Sequence, residues 1–144
     1  MATLFKREAG GPPHTTTRVT ITKNPAYGTR FWSVRLNQYG VDTADGKRSV
    51  YDNGPTIVKG VLILRNVSKT EGDSLRTWLI GTSTVQAKFG AQTFDITPPS
   101  ATDLGKGAGT AITVYYDGEE DIDGVLDFHA PGQYDITFPY RESI

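Results

Sequence analysis

Carboxylates crowd one short stretch of the chain, where Asp117, Glu119, Glu120, Asp121 and Asp123 precede Gly124. Acidic groups at alternating positions before a glycine form half of a calcium loop, because the glycine allows the sharp turn and the carboxylates supply hard oxygen ligands. The bidentate acid that would close such a loop is replaced by Ala130, and a hydrated acidic turn is the competing reading. Only two histidines are present, His14 and His129, and nothing in the sequence places either beside a third metal ligand. Asp127 and His129 are not accompanied by a Gly-x-Ser-x-Gly elbow, so no serine nucleophile is presented to them. The stretch Gly105-Lys106-Gly107-Ala108-Gly109-Thr110 is rich in glycine but lacks the Gly-Lys-Ser/Thr ending of a phosphate cradle and runs into a strand pattern. These residues predict a chain that is not an enzyme and holds neither a cofactor nor a catalytic metal.

A second group of residues carries contact chemistry. Phe31 and Trp32 are adjacent, and side chains alternate along a strand, so both cannot point inward and one must face a second layer or a partner. Lys47 and Arg48 lie in a long stretch of turn residues, where they either pair with acidic groups across a subunit boundary or stay hydrated. With Tyr51 at the end of that stretch and the acidic run from Asp117 to Asp123, they make up the candidate interface.

The elements that must position these residues follow from composition and pattern. A chain of 144 residues with 37% hydrophobic and 22% charged residues is the size of one domain and can bury one core. Its formal net charge of −1, with no basic run, removes the electrostatic term that drives nucleic-acid binding. No stretch has the apolar length of a membrane span, and Met1–Lys6 is too short and polar for a secretory segment, so the chain is expected in the cytosol. Without cysteine, stability must come from packing or from neighbours.

Residues 1–17 read as a flexible arm, because Ala9–Thr17 holds two glycines, two prolines and little to bury. Residues 18–144 read as one β domain. Alternation predicts strands at Arg18–Lys23 and Phe31–Leu36, and turn chemistry from Val41 to Pro55 predicts an extended loop or protruding hairpin. Val61-Leu62-Ile63-Leu64 marks Val58–Asn66 as a central strand buried on both faces. Ser68-Lys69-Thr70-Glu71 is a capping box, with Leu75, Trp78 and Leu79 on one face after it and Gly81 as a left-handed stop, so a helix is predicted over Lys69–Ile80. Further strands are predicted at Val85–Phe89, Gln92–Ile96, Ala111–Tyr116, Gly124–Phe128 and Gln133–Pro139, with a tight hairpin at Phe89–Gln92 and a loop over Pro98–Gly109. The expected class is mainly β, a sandwich or barrel with one flanking helix.

Tyr51-Asp52-Asn53-Gly54-Pro55, Val61-Leu62-Ile63-Leu64, the capped helix ending Leu75-Arg76-Thr77-Trp78-Leu79 and the segment Phe94-Asp95-Ile96-Thr97-Pro98-Pro99 together resemble the tail-tube and distal-tail (minor tail) proteins of long-tailed bacteriophages. The resemblance covers roughly Ser49–Pro99. It implies a tail-tube-like β-sandwich with one flanking helix, a place in the virion after assembly in the host cytoplasm, and a hexameric or trimeric ring that binds copies of itself and adjacent tail proteins. In such a ring Lys47 and Arg48 would meet the acidic run of a neighbour. The arm and the acidic run depart from the family pattern. Two other virion or binding roles compete: a capsid decoration protein that clamps a shell with its arm, and a calcium- or carbohydrate-binding module that stacks ligands on Tyr27, Trp32 and Tyr39. A hydrolase built on Asp121 and Asp123 is the third class.

Overall fold

The computed structural model describes residues 2–35, 38–52, 56–118, 126–129 and 132–143. In chain order the strands are β1 (Thr3–Lys6), β2 (Thr17–Ile21), β3 (Arg30–Arg35), β4 (Gln38–Asp42), β5 (Arg48–Asp52) and β6 (Thr56–Ser68), followed by the helix α1 (Lys69–Ile80). Strands β7 (Phe94–Thr97), β8 (Ile112–Tyr116), β9 (Leu126–His129) and β10 (Gln133–Glu142) complete the chain. The main sheet is antiparallel and runs β2-β1-β7-β8-β10-β6-β3, with β9 beside β10, while β4 and β5 form a separate two-stranded sheet.

Period-two burial explains the long strands. Along β10, Tyr134, Ile136, Phe138, Tyr140 and Glu142 are buried while the residues between them are at least half-open. Leu62 and Leu64 of β6 face the same way and are fully buried. The sheet is curled: Phe5 on β1 and Phe138 on β10 lie three strand spacings apart along it, about 14 Å if flat, yet their ring centroids are 5.5 Å apart. The two ends of one continuous sheet thereby become the facing layers of an open sandwich. Helix α1 packs against its inner face through Leu75, Trp78 and Leu79, with Trp78 edge-on to Phe94 at 4.9 Å and tilted against Phe5 at 5.9 Å. A mainly β fold with one flanking helix is therefore what the chain adopts, and the helix has the predicted bounds.

Several expectations are corrected. The stretch 1–17 is not a free arm: β1 lies between β2 and β7 and buries Phe5 completely. The connection after it is pinned as well. Arg7 is 5% exposed and donates from Nε to the Thr84 carbonyl at 2.8 Å, from one terminal nitrogen to the Thr93 carbonyl, and from the other to Gln92 Oε1 at 2.7 Å. His14 is 2% exposed; its Nδ1 accepts from the Glu8 amide at 3.1 Å and its Nε2 meets the Thr93 hydroxyl at 3.3 Å.

The predicted strand at Val85–Phe89 and the hairpin after it are replaced by turns and a 3₁₀ helix at Lys88–Gly90. The Trp78 indole N–H takes the Val85 carbonyl at 2.8 Å and the Ala87 amide takes the Trp78 carbonyl at 3.2 Å, so this backbone is bound to the helix end instead of a ladder. Only half of the capping box forms. Ser68 Oγ accepts the Glu71 amide at 3.3 Å, but the Glu71 carboxylate turns away to the amide and hydroxyl of Thr22, tying α1 to the end of β2. Gly81 is extended, not left-handed, with φ −68° and ψ 161°. The central strand is buried along its inner face, whereas on the other face Val61 and Ile63 are only half-buried and Ile57, at its start, is fully buried.

Candidate interaction surface

The β4–β5 hairpin is built from its turn outwards. Thr43 and Lys47 close the turn, with the Thr43 amide donating to the Lys47 carbonyl at 2.7 Å, and Gly46 takes φ +85°, a conformation a side chain would resist. The Asp45 carboxylate accepts from the Thr43 hydroxyl, which holds its pKa below the usual carboxylate range. Register then sets the faces. Gly40 lies opposite Val50 and Val41 opposite Ser49, so Val41 and Val50 point to opposite faces, and both are exposed, at 46% and 55%. Arg48 shares the Val50 face and lays its guanidinium over Gly40, where a Cβ would come within 2.4 Å of it. Val41 on one face and Val50 on the other are both left open to solvent.

Strand β3 ends the main sheet, and among the described residues it pairs with β6 alone. Phe31 is opposite Gly60 on the inner face, and Gly60 leaves room for the Tyr140 hydroxyl, 2.3 Å from where a Cβ would stand. Trp32 is opposite Lys59 on the outer face. Alternation thus splits the pair as expected, but neither ring is buried: Phe31 is 40% and Trp32 45% exposed. Among the residues whose burial is described, five of the seven large apolar side chains left exposed, Tyr27, Phe31, Trp32, Val41 and Val50, fall between residues 27 and 50, at one end of the sheet and its hairpin.

The other predicted interface residues are distributed unevenly. Lys47 and Arg48 are exposed on the hairpin, and Tyr51 lies in β5 opposite Tyr39. Asp117 follows β8 and forms an ion pair with Lys59 at 3.6 Å. Glu119, Glu120, Asp121 and Asp123 lie outside the described residues, as does the greater part of the suggested calcium loop. His129 is in β9 opposite Gln133, remote in the sheet from His14 beyond β1.

An open cleft of about 530 Å³ lies between β2 and α1, with Arg18, Asp73, Thr77 and Trp78 in its lining. Its charged groups are already occupied. Arg18 Nε donates to the Arg7 carbonyl at 2.9 Å, and Asp73 accepts from Lys69 Nζ and from the Tyr134 hydroxyl, each at 2.6 Å, which keeps its pKa low. A carboxylate held ionised in this way is a poor general base. A second opening beside Lys106 and Glu142 is spanned by that ion pair at 2.6 Å. Among the described residues no three His, Asp or Glu side chains gather into a metal-binding group, and no helix is long and apolar enough to cross a membrane. The chain matches no protein family and no curated protein.

Proposed function

We propose that the chain is a structural subunit of a bacteriophage tail, forming a ring at the tube or distal tip by binding copies of itself and adjacent tail proteins. The observation that carries this reading is the β4–β5 hairpin, which pairs only with itself among the described residues and leaves a valine exposed on each face. A two-stranded hairpin is marginal alone in water, and apolar groups on both faces fit insertion between two neighbouring surfaces. A heterologous contact of this kind closes into a ring when the rotation between copies permits. Phe31 at the adjoining sheet end and the cations Lys47 and Arg48 extend the same contact. A capsid decoration protein that clamps a shell with a free arm is less well supported, because the residues it needs include the buried strand β1.

The test is the mass of the purified protein by light scattering, with negative-stain images of the same sample. A hexamer or trimer with a visible ring is expected, and Val41→Asp and Val50→Asp should each shift the mass to the monomer while leaving the thermal melt in place. A monomer at every concentration overturns the reading.

A further inference from the structure

The outer face of the main sheet carries a two-by-four lattice that only strand register brings together. In one row, Trp32 of β3 is opposite Lys59 of β6, Lys59 is opposite Arg141 of β10, and Arg141 is opposite Tyr115 of β8. In the next row, Arg30 is opposite Val61 and Val61 opposite Pro139, while the Asp117 amide donates to the Pro139 carbonyl at 3.1 Å and so extends that row by one residue. Residues directly opposite each other share a face. The result is a floor of Val61 and Pro139, an aromatic ring at each end of the neighbouring row, and polar groups between them. Trp32, Arg30 and Asp117 are exposed; Lys59, Arg141 and Tyr115 are half-open.

We infer that this lattice is a binding site for an acidic polysaccharide. The apolar faces of sugar rings stack on Trp32 and Tyr115, which stand at the two ends of one row, three strand pairings apart. Carboxylate or sulfate groups on the sugars pair with Arg30 and Arg141, to which no carboxylate among the described residues is bound. The Lys59–Asp117 pair lies in the middle, where Asp117 accepts from hydroxyls and Lys59 donates to them. Three cations against one carboxylate favour a polyanion of low charge density. The fixed negative charge of Asp117 within the lattice and the net charge of −1 on the whole chain both count against nucleic acid, which carries a phosphate at every step.

The inference needs only one chain and is independent of ring formation. The experiment is electrophoresis of the folded full chain through native gels containing alginate, hyaluronan, neutral dextran or no polymer, with a parallel shift assay on oligo(dT). Retardation in alginate or hyaluronan but not in dextran is expected. Trp32→Ala and Arg141→Gln should each weaken it about tenfold, the size of losing one stacking or charged contact. Ile80→Ala, at the exposed end of α1 and outside both surfaces, should leave it unchanged. Equal mobility in all gels, retention equal in dextran, or binding to oligo(dT) as tight as to the polysaccharides overturns the proposal. Light scattering of Trp32→Ala separates the two readings: a fall to monomer with no polysaccharide retention in the parent chain assigns Trp32 to contact between copies and removes this site.

Discussion

At Gly72 a Cβ would stand 2.0 Å from Cδ2 of Tyr134 and 2.8 Å from its Cγ, so the helix meets the β10 ring with no room for a methyl group. The Tyr134 hydroxyl donates to Asp73 at 2.6 Å, which holds the ring in place and prevents it from yielding. Gly72→Ala is therefore expected to cost about 1–3 kcal/mol through overpacking, despite the better helix propensity of alanine, as read by urea denaturation. Gly10→Ala, with nothing within 4 Å of the added carbon, serves as the neutral control. His14 supplies a pH dependence. Burial, the larger cause, and the nearby Arg7 lower its pKa from the ordinary value of 6.5, while Asp95 and Glu8 act in the opposite direction. The unfolded chain then takes up the proton more readily, so this stability is full above the unfolded value and is lost as the pH falls below it towards the folded one. Protonation would also turn the Nδ1 acceptor into a donor facing the Glu8 amide. The urea midpoint should fall between about pH 7.5 and about pH 5, and His14→Gln should flatten that fall.

The elements differ in how much local sequence determines them. Helix α1 was legible because its signals are local: Ser68 caps the Glu71 amide, and Leu75, Trp78 and Leu79 repeat at helical spacing. The hairpin was legible from turn residues that do close its turn. Strand β1 was not, because Thr3-Leu4-Phe5-Lys6 is short, is followed by glycines and prolines, and owes its place to β7, far along the chain. Val85–Phe89 misled because its apolar residues look strand-like while the Trp78 indole captures the backbone. The same distinction holds for the surface. That Phe31 and Trp32 point to opposite faces follows from alternation within one strand, whereas Lys59, Arg141 and Tyr115 join Trp32 only through three successive pairings. Removing residues 2–6 would bare the edge of β7 and unroof the Phe94 and Phe138 rings that Phe5 covers. The shortened chain is expected to lose its cooperative thermal melt and to sediment as aggregate. A sharp melt at the parent temperature would show that β1 is dispensable.

At the scale of the whole molecule, curling the sheet sets its surfaces apart. The inner face and α1 hold the buried rings that keep the chain folded, while Trp32 on the outer face and Val41 and Val50 on the hairpin stay exposed. Among the described residues β2 and β3 end the main run of the sheet, and both carry charge or bulk that discourages indiscriminate pairing: Arg18 on β2, and Arg30 with two aromatic rings on β3. The position of β1 also governs how the protein is made. On the ribosome β1 and β2 emerge before the rest of the sheet and can pair, but the strand that covers the other side of β1 is translated only after α1. At about 5–20 residues per second that wait lasts about 5–20 s, during which the nascent chain presents a bare strand edge beside Phe5. Chaperone capture and translation speed over this interval, more than the stability of the finished fold, would then set how much of the chain reaches its native form.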